Sequence, residues 1–412
     1  MAVTIKKVSC KADLKKFARL NYQLYKDSPY AVPDLLEDMY DTFNPKKNAA
    51  YDFCEAELFI ALRGEEVVGR IACIINHNAN KKWETNNARF GWIDFIDDPE
   101  VSEALIATAE QWGRDRGCDK LVGPLGFTDM DPEGMLIDGF DQLSTMSTIY
   151  NYPYYPQHME RLGLTHEIDW VERKVMVPRA GHEANQDKYF RVAELVKKRY
   201  KLHIHKFKNA REILKGQYQY PIFDVVNRAY ANLFGYSEMT RKQIDRYSEM
   251  YLRFLDTRMV SVVETEDGEI IAMGITMGSL SHAIQKAKGR LFPFGWWHLL
   301  KAMKFKHSKI IDMLLVGVVV FAANYAAVAA FDRRLECRIC RTEHDLVRAL
   351  ERRGEVLEKR LRPRIAVRLE EDAQLARAFR PRHLDRALHL RRMMGVVRDY
   401  RRGIVRLFDC LI

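Results

Sequence analysis

The most regular pattern of apolar and polar positions lies between residues 90 and 124. The run FGWIDFI alternates its side chains between two faces, as a β-strand does. Asp97, Asp98 and Pro99 then have the composition of a helix start, and the helix that follows carries one apolar stripe, formed by Val101, Leu105, Ala109 and Trp112. Residues 120–122 predict a second strand. A strand, a helix and a strand with short connections form a crossover unit, so we expect a parallel strand pair here.

Shorter patterns on either side complete a chain of the α/β class. Before residue 178 they predict strands at 3–8, 56–62, 67–75 and 168–177, and helices at 11–27, 33–39 and from about 156. After a polar linker at 179–187 they predict strands at 202–207, 260–264, 270–277 and 309–316, and helices at 210–215, 221–233, 241–254 and 294–305. The order strand, helices, strand pair, strand occurs twice, which predicts a duplicated architecture.

Composition adds a boundary near Gly317. The chain has 412 residues, of which 47% are hydrophobic and 30% charged, so it belongs to the soluble globular class and is long enough for two or three domains. Residues 1–317 carry 44 Lys and Arg against 43 Asp and Glu, whereas residues 318–412 carry 22 against 13. The net charge of +10 therefore arises almost entirely in the last quarter, where Arg replaces Lys.

The cysteines and the start of the chain indicate a cellular compartment. Seven scattered cysteines, an odd number, argue against a disulfide framework and for a reducing environment. We see no secretion signal at the start, so we expect a cytoplasmic protein.

Several segments resemble a known family. The first half is similar to the N-terminal half of a bacterial group with two tandem domains of the GNAT (N-acetyltransferase) fold, in AELFIALRGEEVVGRIACIINH, FGWIDFIDDPEVSEAL, GPLGFTDMDPEGMLIDGFD and YNYPYYPQHMERLG. The second half resembles the C-terminal GNAT-like domain in FDVVNRAYANLFGY and KIIDMLLVGV. This resemblance covers about residues 1–317 and implies a GNAT-like domain at 1–178, a second at 189–317 that stops after its fourth strand, and an atypical Arg-rich, helix-rich segment at 318–412.

The resemblance implies transfer of an acyl group from acetyl-CoA or another acyl-CoA to an amine, carried by an acceptor that the sequence does not identify. In GNAT enzymes the pyrophosphate binds a Gln/Arg-x-x-Gly-x-Gly/Ala loop at a helix N-terminus after the fourth strand, and that splayed strand offers backbone groups to the pantetheine arm. The expected cofactor-binding residues here are those of the predicted fourth strand, Leu314, Leu315, Val316, Gly317 and Val318. The resemblance identifies no catalytic base, although Glu264 and Asp312 lie near the relevant strands in chain order.

Neither half carries the phosphate-binding loop. In the first half the fourth strand is followed by IDDPEVSEA, whose carboxylates repel a pyrophosphate, so we expect this domain to be non-catalytic. In the second half the chain continues as VVVFAANYAAVAAF, without a glycine between Gly317 and Gly354. A GNAT-fold scaffold or binding module without catalysis therefore remains an alternative to an acyltransferase.

Three interpretations of residues 318–412 remain open. The apolar run at 313–331 has the length of a transmembrane helix, which would tether the protein to a membrane. The arginines and helically spaced leucines fit a basic helical appendage, although interleaved acids favour a solvated face over a nucleic-acid surface. The abrupt change in composition also fits translation in another reading frame or a fusion, which the sequence of the source gene would decide.

Other candidate chemistry has simpler explanations. Cys337 and Cys340 with His344 form at most half of a zinc site, and His203 and His205 share one strand face without further ligands, so we predict no metal site. The tyrosines of 150–155 fit packing against the sheet edge as well as a stacking platform. Five acids are interpreted as a surface loop because the calcium-loop spacing is incomplete: Asp129, Asp131, Glu133, Asp138 and Asp141.

Overall fold

The computed structural model describes residues 1–175, 186–252, 255–305, 308–319 and 390–398. Its first half contains, in chain order, β1 (Val3–Lys7), α1 (Lys11–Leu24), α2 (Leu36–Thr42), β2 (Cys54–Arg63), β3 (Glu66–Asn76), α3 (His77–Trp83), β4 (Asn87–Phe95), α4 (Pro99–Arg114), β5 (Lys120–Gly123), β6 (Met135–Asp138), α5 (Tyr154–Arg161) and β7 (Thr165–Arg173).

The second half begins with α6 (Gln186–Arg199), which starts inside the predicted linker. It continues with β8 (His203–Lys206), α7 (Ala210–Lys215), α8 (Gln219–Ala229), α9 (Arg241–Leu252), β9 (Val260–Glu264), β10 (Ile270–Gly278), α10 (Ser281–Ala287), α11 (Gly295–Lys304) and β11 (Ile311–Val318). A last strand, β12, spans Leu390–Arg398. The mixed α/β class predicted from the sequence is confirmed.

The crossover unit forms as predicted. Strands β4 and β5 pair in parallel, with Asn87 opposite Lys120, and α4 connects them. All four residues of the predicted apolar stripe of α4 are buried. Asp98 caps this helix because its side chain accepts a hydrogen bond from the Glu100 backbone N–H, and Pro99 fills the first helical position.

Two sheets share one strand order. The first begins β1-β2-β3-β4, and the second is β8-β9-β10-β11, with every neighbouring pair in these two series antiparallel. Apolar side chains cover both faces of the first sheet, with α4 and α5 on one face and α1 and α2 on the other. Helix α8 packs on the second sheet through Val225 and Val226, which are fully buried. The repeated order of elements in the sequence thus corresponds to the same order of four strands in both sheets.

The structure bears on two interpretations of the end of the chain. Residues 313–318 lie in β11, so the alternative of a membrane helix at 313–331 is wrong for this part; residues 320–331 lie outside the described range. Within the segment predicted to be helix-rich, residues 390–398 form β12, which pairs with β5, β6 and β7 of the first sheet, and residues 320–389 and 399–412 lie outside the described range. Within the described ranges, every helix is too short or too polar to cross a membrane.

Candidate active site

The fourth strand of each sheet has a β-bulge. On β11, Leu315 pairs with Ile275 and Met313 pairs with Thr276, so Leu314 is an extra residue without a partner on β10. On β4, two residues lie between the pairs Gly91–Ala72 and Asp94–Arg70, whereas β3 has only Ile71 there. A bulge interrupts the ladder and leaves backbone groups free for other partners.

The bulge on β11 borders an apolar cavity of about 340 Å³. Leu314 and Leu315 form one wall together with Ile275 and Val260. The opposite walls come from α7 and α8, from the end of α9 and from the loop between β5 and β6, through Ile213, Ile222, Phe223, Tyr247, Tyr251, Met130 and Asp131. The cavity therefore lies between the second sheet and a loop of the first half.

That loop places three of the five predicted surface acids in the interior, which corrects the prediction for them. Asp129 and Asp131 line the apolar cavity. Both carboxyl oxygens of Asp129 and one of Glu133 are inaccessible to solvent, and the two carboxyl groups are hydrogen-bonded to each other, which requires a proton on one of them. Asp138 and Asp141 are exposed, as predicted. The error arose because the cavity that receives the loop is built largely from the other half of the chain.

Burial changes the acidity of these carboxyl groups. It raises the pKa of Asp131 to about 6, although the backbone N–H of Thr128 donates to the Asp131 carboxylate at 3.0 Å. Burial also raises the pKa of Asp129 to about 6, and the pKa of Glu133 lies well above its ordinary value because of burial and the neighbouring Asp129 carboxyl. A carboxyl group with a pKa of about 6, as in Asp129 and Asp131, exchanges protons close to neutral pH, which is where a general base is effective.

A second, more polar cavity of about 170 Å³ adjoins the first. Asp131, Tyr247 and Tyr251 line both cavities. The second cavity also contains the carboxyl groups of Asp34 and Asp38 and the guanidinium of Arg246. Asp131 therefore lies where an apolar compartment and a polar compartment meet.

Two tyrosines at this junction remain protonated at neutral pH. Burial raises the pKa of Tyr251 to about 12 and raises that of Tyr247 further. A buried phenol of this kind serves as a hydrogen-bond or proton donor and not as a base. The sequence patterns did not single out Tyr247 or Tyr251, because they lie on α9 at positions that also suit packing against the core.

The space beside the bulge on β4 is occupied differently. Its cavity measures about 80 Å³ and contains Arg70 and Asp94. Arg70 Nε donates to Asp94 Oδ2 at 2.8 Å, and the hydroxyl of Tyr155 donates to Asp94 Oδ1 at 3.1 Å. The hydroxyl of Tyr25 lies 2.7 Å from that of Tyr155. A satisfied, buried polar network fills this position.

The helix after β4 offers no free anion site. The Asp98 side chain already accepts from the helix N-terminus, and its other oxygen lies 2.8 Å from Arg63 Nη1. Asp97 lies 2.9 Å from His158 Nε2. A pyrophosphate would have to displace these carboxylates. The residues that follow β11 beyond Val319 lie outside the described part of the chain.

The structure separates the residues predicted for cofactor binding. Leu314 and Leu315 line the apolar cavity. The carbonyl of Val316 accepts a hydrogen bond from the Tyr230 hydroxyl at 3.0 Å, Gly317 packs closely against α8, and Val318 is exposed at the strand end. Only the first two of the five are thus in the cavity wall.

The two acids considered as bases lie elsewhere. Glu264 is on β9, with its carboxylate 3.9 Å from His205 Nδ1. Asp312 is buried on β11, and burial raises its pKa, but it does not line the cavity. Asp131, which the sequence predicts in a surface loop, lines the apolar cavity, whereas Glu264 and Asp312 do not.

The remaining candidates fit structural roles. His205 packs on Phe207 and Tyr218 and contacts Glu212, and His203 is exposed. Tyr150, Tyr152, Tyr154 and Tyr155 form one aromatic cluster with Tyr25 and Phe95 at the sheet. Among the described residues no group of three or more potential ligands could hold a metal, while Cys337, Cys340 and His344 lie outside that range.

Two known bacterial proteins are similar in sequence to about three quarters of this chain. The chain is 28% identical over 315 residues to a bacterial ceramide synthase of Caulobacter vibrioides, covering 76% of this chain and 79% of the relative. It is 26% identical over 315 residues to protein YghO of Escherichia coli, covering 75% of this chain and 76% of that protein. No protein-family profile matches the chain.

Solved structures that match this chain include two that are named as GNAT or GCN5-related proteins. A tandem GNAT protein from the clavulanic acid biosynthesis pathway matches with a TM-score of 0.44 and 11% identity, covering 96% of this chain and 98% of that one. A GCN5-related N-acetyltransferase from Sphaerobacter thermophilus matches with a TM-score of 0.40 and 14% identity, covering 98% and 97%. Both matched structures carry GNAT names, which agrees with the resemblance expected from the sequence.

Proposed function

We propose that this protein is an N-acyltransferase that moves an acyl group from an acyl-CoA to an amine. The observation that carries the proposal is the meeting of two cavities at Asp131, one apolar and bordered by the bulge of β11, the other polar and acidic. An acyl chain suits the first compartment, and a cationic amine suits the second. The bond that forms between them is an amide.

The apolar compartment supports an acyl donor longer than acetyl. Its walls are mainly aliphatic and aromatic, and each methylene group removed from water contributes about 0.8 kcal/mol. The unpaired backbone at Leu314 is available to the amide groups of a pantetheine arm. One relative is named a bacterial ceramide synthase, and a ceramide contains the amide bond that this proposal forms.

The polar compartment supplies the acid and base groups. The amine nitrogen attacks the thioester carbonyl, the carbon–nitrogen bond forms and the carbon–sulfur bond breaks. Asp131, ionised above about pH 6, takes one proton from the ammonium group and so produces the neutral amine that attacks. Tyr247 and Tyr251 are protonated at neutral pH; one of them donates its proton to the departing sulfur and regains a proton from the nitrogen as the amide forms, so free CoA leaves as a thiol.

The two halves contribute unequally to this site. We assign the acyl-binding wall to residues 189–317 and regard residues 1–178 as a domain that does not bind acyl-CoA, since carboxylates occupy the N-terminus of α4. The first domain nevertheless provides Asp131 through the loop between β5 and β6. Catalysis on this assignment requires both domains.

Titration of the protein with acyl-CoAs from acetyl to palmitoyl tests the proposal. We expect affinity to increase with chain length until the cavity is filled, and we expect long-chain amines to be acylated. Asp131→Asn should lower the turnover rate about 10²- to 10⁴-fold without abolishing acyl-CoA binding. The exposed Asp138→Asn is the matched control and should act like the parent protein.

The same experiment separates catalysis from a binding module. Binding of acyl-CoA without turnover on any amine would favour a non-catalytic module. A protein that gives neither calorimetric heat nor a shift in melting temperature with any acyl-CoA would contradict both functions.

A further inference from the structure

An exposed aromatic face lies on α11 and the segment just before it. We call it the aromatic face and define it by Phe292, Phe294, Trp296, Trp297 and Phe305. The three phenylalanines are 74%, 75% and 70% exposed, and the tryptophans are 45% and 48% exposed. The ring centroids of Trp296 and Trp297 are 5.8 Å apart, and those of Trp297 and Phe305 are 6.3 Å apart. Trp296, Trp297 and Phe305 therefore form a continuous surface, and Phe292 and Phe294 are exposed in the segment just before it.

The core does not require these side chains. Helix α11 is anchored from its opposite side by Leu299, which is buried against Ala283, Ile284 and Ala287 of α10. Contiguous apolar surfaces of this kind mark interaction sites in soluble proteins. The aromatic face has the composition expected of a binding surface and not of a folding element.

The stretch of chain that carries the aromatic face has charged residues of a single sign, and the Asp256 carboxylate acts on Lys304 from outside this stretch. Residues 270–311 contain seven Lys and Arg and no Asp or Glu. Lys288, Arg290, Lys301, Lys304 and Lys309 are exposed in this part of the structure. Exposed Trp and Phe rings combined with Lys and Arg, on a helix too short to span a bilayer, are the features of an interfacial membrane helix.

We propose that the aromatic face docks on the surface of a lipid bilayer containing anionic headgroups. The rings enter the boundary between headgroups and acyl chains, and the cations pair with lipid phosphates. Further along the chain Ile310, Ile311 and Met313 are also exposed; the last two belong to β11, whose Leu314 and Leu315 line the apolar cavity. Docking would bring the cavity wall next to the lipid, although the inference does not depend on the proposed reaction.

Vesicle binding by the full chain provides the test. We expect the protein to float with vesicles of phosphatidylglycerol and phosphatidylcholine, to bind pure phosphatidylcholine at least tenfold more weakly, and to lose most binding in high salt. The triple change Phe292→Ser, Phe294→Ser and Phe305→Ser should reduce partitioning more than tenfold. Neutralising Lys301 and Lys304 to Gln should reduce it about fivefold for each charge.

A matched control is available on another exposed helix. Phe190 and Leu195 on α6 are 67% and 60% exposed, so their replacement by Ser removes exposed apolar surface elsewhere, comparable to that of the double change Phe292→Ser with Phe294→Ser. Vesicle binding of this control should equal that of the parent. Tryptophan emission should shift to shorter wavelength on vesicles, and Trp296→Phe with Trp297→Phe should remove the shift while binding persists.

Three results would overturn the inference. One is full vesicle binding by the triple Phe→Ser variant with its fold intact by circular dichroism. Another is equal loss of binding in the α6 control. The third is that the parent protein binds no vesicles but binds duplex DNA tightly, and that the Lys301 and Lys304 changes abolish this DNA binding. The lipid experiment contains no acyl-CoA, so its failure leaves the acyltransferase proposal untouched.

Discussion

The bulges on β4 and β11 have the same backbone design and different surroundings. Each interrupts the pairing between the third and fourth strands of its sheet. In the first sheet, strand pairing resumes after the bulge at Arg70 of β3. In the second sheet, it resumes at Ile275 of β10. Beside Arg70 lies a polar space of about 80 Å³, and beside Ile275 lies an apolar cavity of about 340 Å³.

This difference shows how one scaffold supplies a structural centre and a candidate active site. In the first sheet a guanidinium, a carboxylate and two phenols satisfy one another, and only a small space remains beside them. In the second sheet the apolar walls leave more room, and the Asp129 carboxyl at the cavity is hydrogen-bonded to another carboxyl, that of Glu133, and not to a cation. Incomplete filling with poorly satisfied acids is the arrangement expected of a binding site.

The largest effect is expected from breaking the network beside β4. Asp94→Ala leaves the guanidinium of Arg70, which is only 1% exposed, without its carboxylate partner. We expect the free energy of unfolding to fall by about 3–5 kcal/mol, measured by urea denaturation. The double change Arg70→Met with Asp94→Leu should recover most of that loss, because no unpaired charge remains. A loss below 1 kcal/mol for Asp94→Ala would show that this network does not hold the first sheet.

Filling the cavity beside β11 should have the next largest effect, on activity instead of stability. Ile275→Trp adds side-chain volume at the cavity wall that Ile275 forms together with Leu315. We expect kcat/KM for long-chain acyl-CoA to fall about 10- to 100-fold, equivalent to about 1–3 kcal/mol of lost apolar contact. Activity with acetyl-CoA should change much less and serves as the internal control. Equal losses with both donors would place the acyl chain elsewhere.

The buried carboxyl of Asp131 predicts an unusual dependence of stability on pH. Its pKa of about 6 in the folded protein exceeds the value of about 3.9 expected in the unfolded chain, so the folded state binds more protons between these values. This group therefore lowers stability as pH rises from 4 to 6, and the full penalty is present above pH 6. Arg246 and the Asp129 carboxyl act on it in opposite directions.

Asp131→Asn should remove that penalty. We expect the variant to be more stable than the parent by about 2 kcal/mol at pH 7.5 and equal to it near pH 4, measured by urea unfolding at both values. The exposed Asp138→Asn should show no difference between the two values. A variant less stable than the parent at pH 7.5 would show that the carboxylate is stabilised by contacts stronger than its burial.

The regular elements followed from local patterns, whereas the cavity did not. The unit of β4, α4 and β5 was predictable because alternation, a proline at the helix start and an apolar stripe all agree within 35 residues. Helix α3 was missed because its sequence, HNANKKW, is polar; the Asn76 side chain, which accepts from Ala79 N–H, defines its start. Asp131 was misplaced because its burial depends on α9 and β11, which lie more than 100 residues away.

The smallest effect is expected at the start of α4, the helix that follows β4. Its capping carboxylate distinguishes β4 from a strand that is followed by a phosphate-binding loop. Asp98→Ala removes the oxygen that accepts from Glu100 N–H and one partner of Arg63, so we expect a loss of about 1 kcal/mol of stability. Asp98→Asn retains the capping oxygen and should lose only a fraction of that amount. If the N-terminus of α4 is closed by its own side chain, phosphate should raise the melting temperature of Asp98→Ala and leave the parent unchanged. Stabilisation of the parent by phosphate would instead reveal a usable anion site beside β4, and the contrast between the two fourth strands would then rest on their cavities alone.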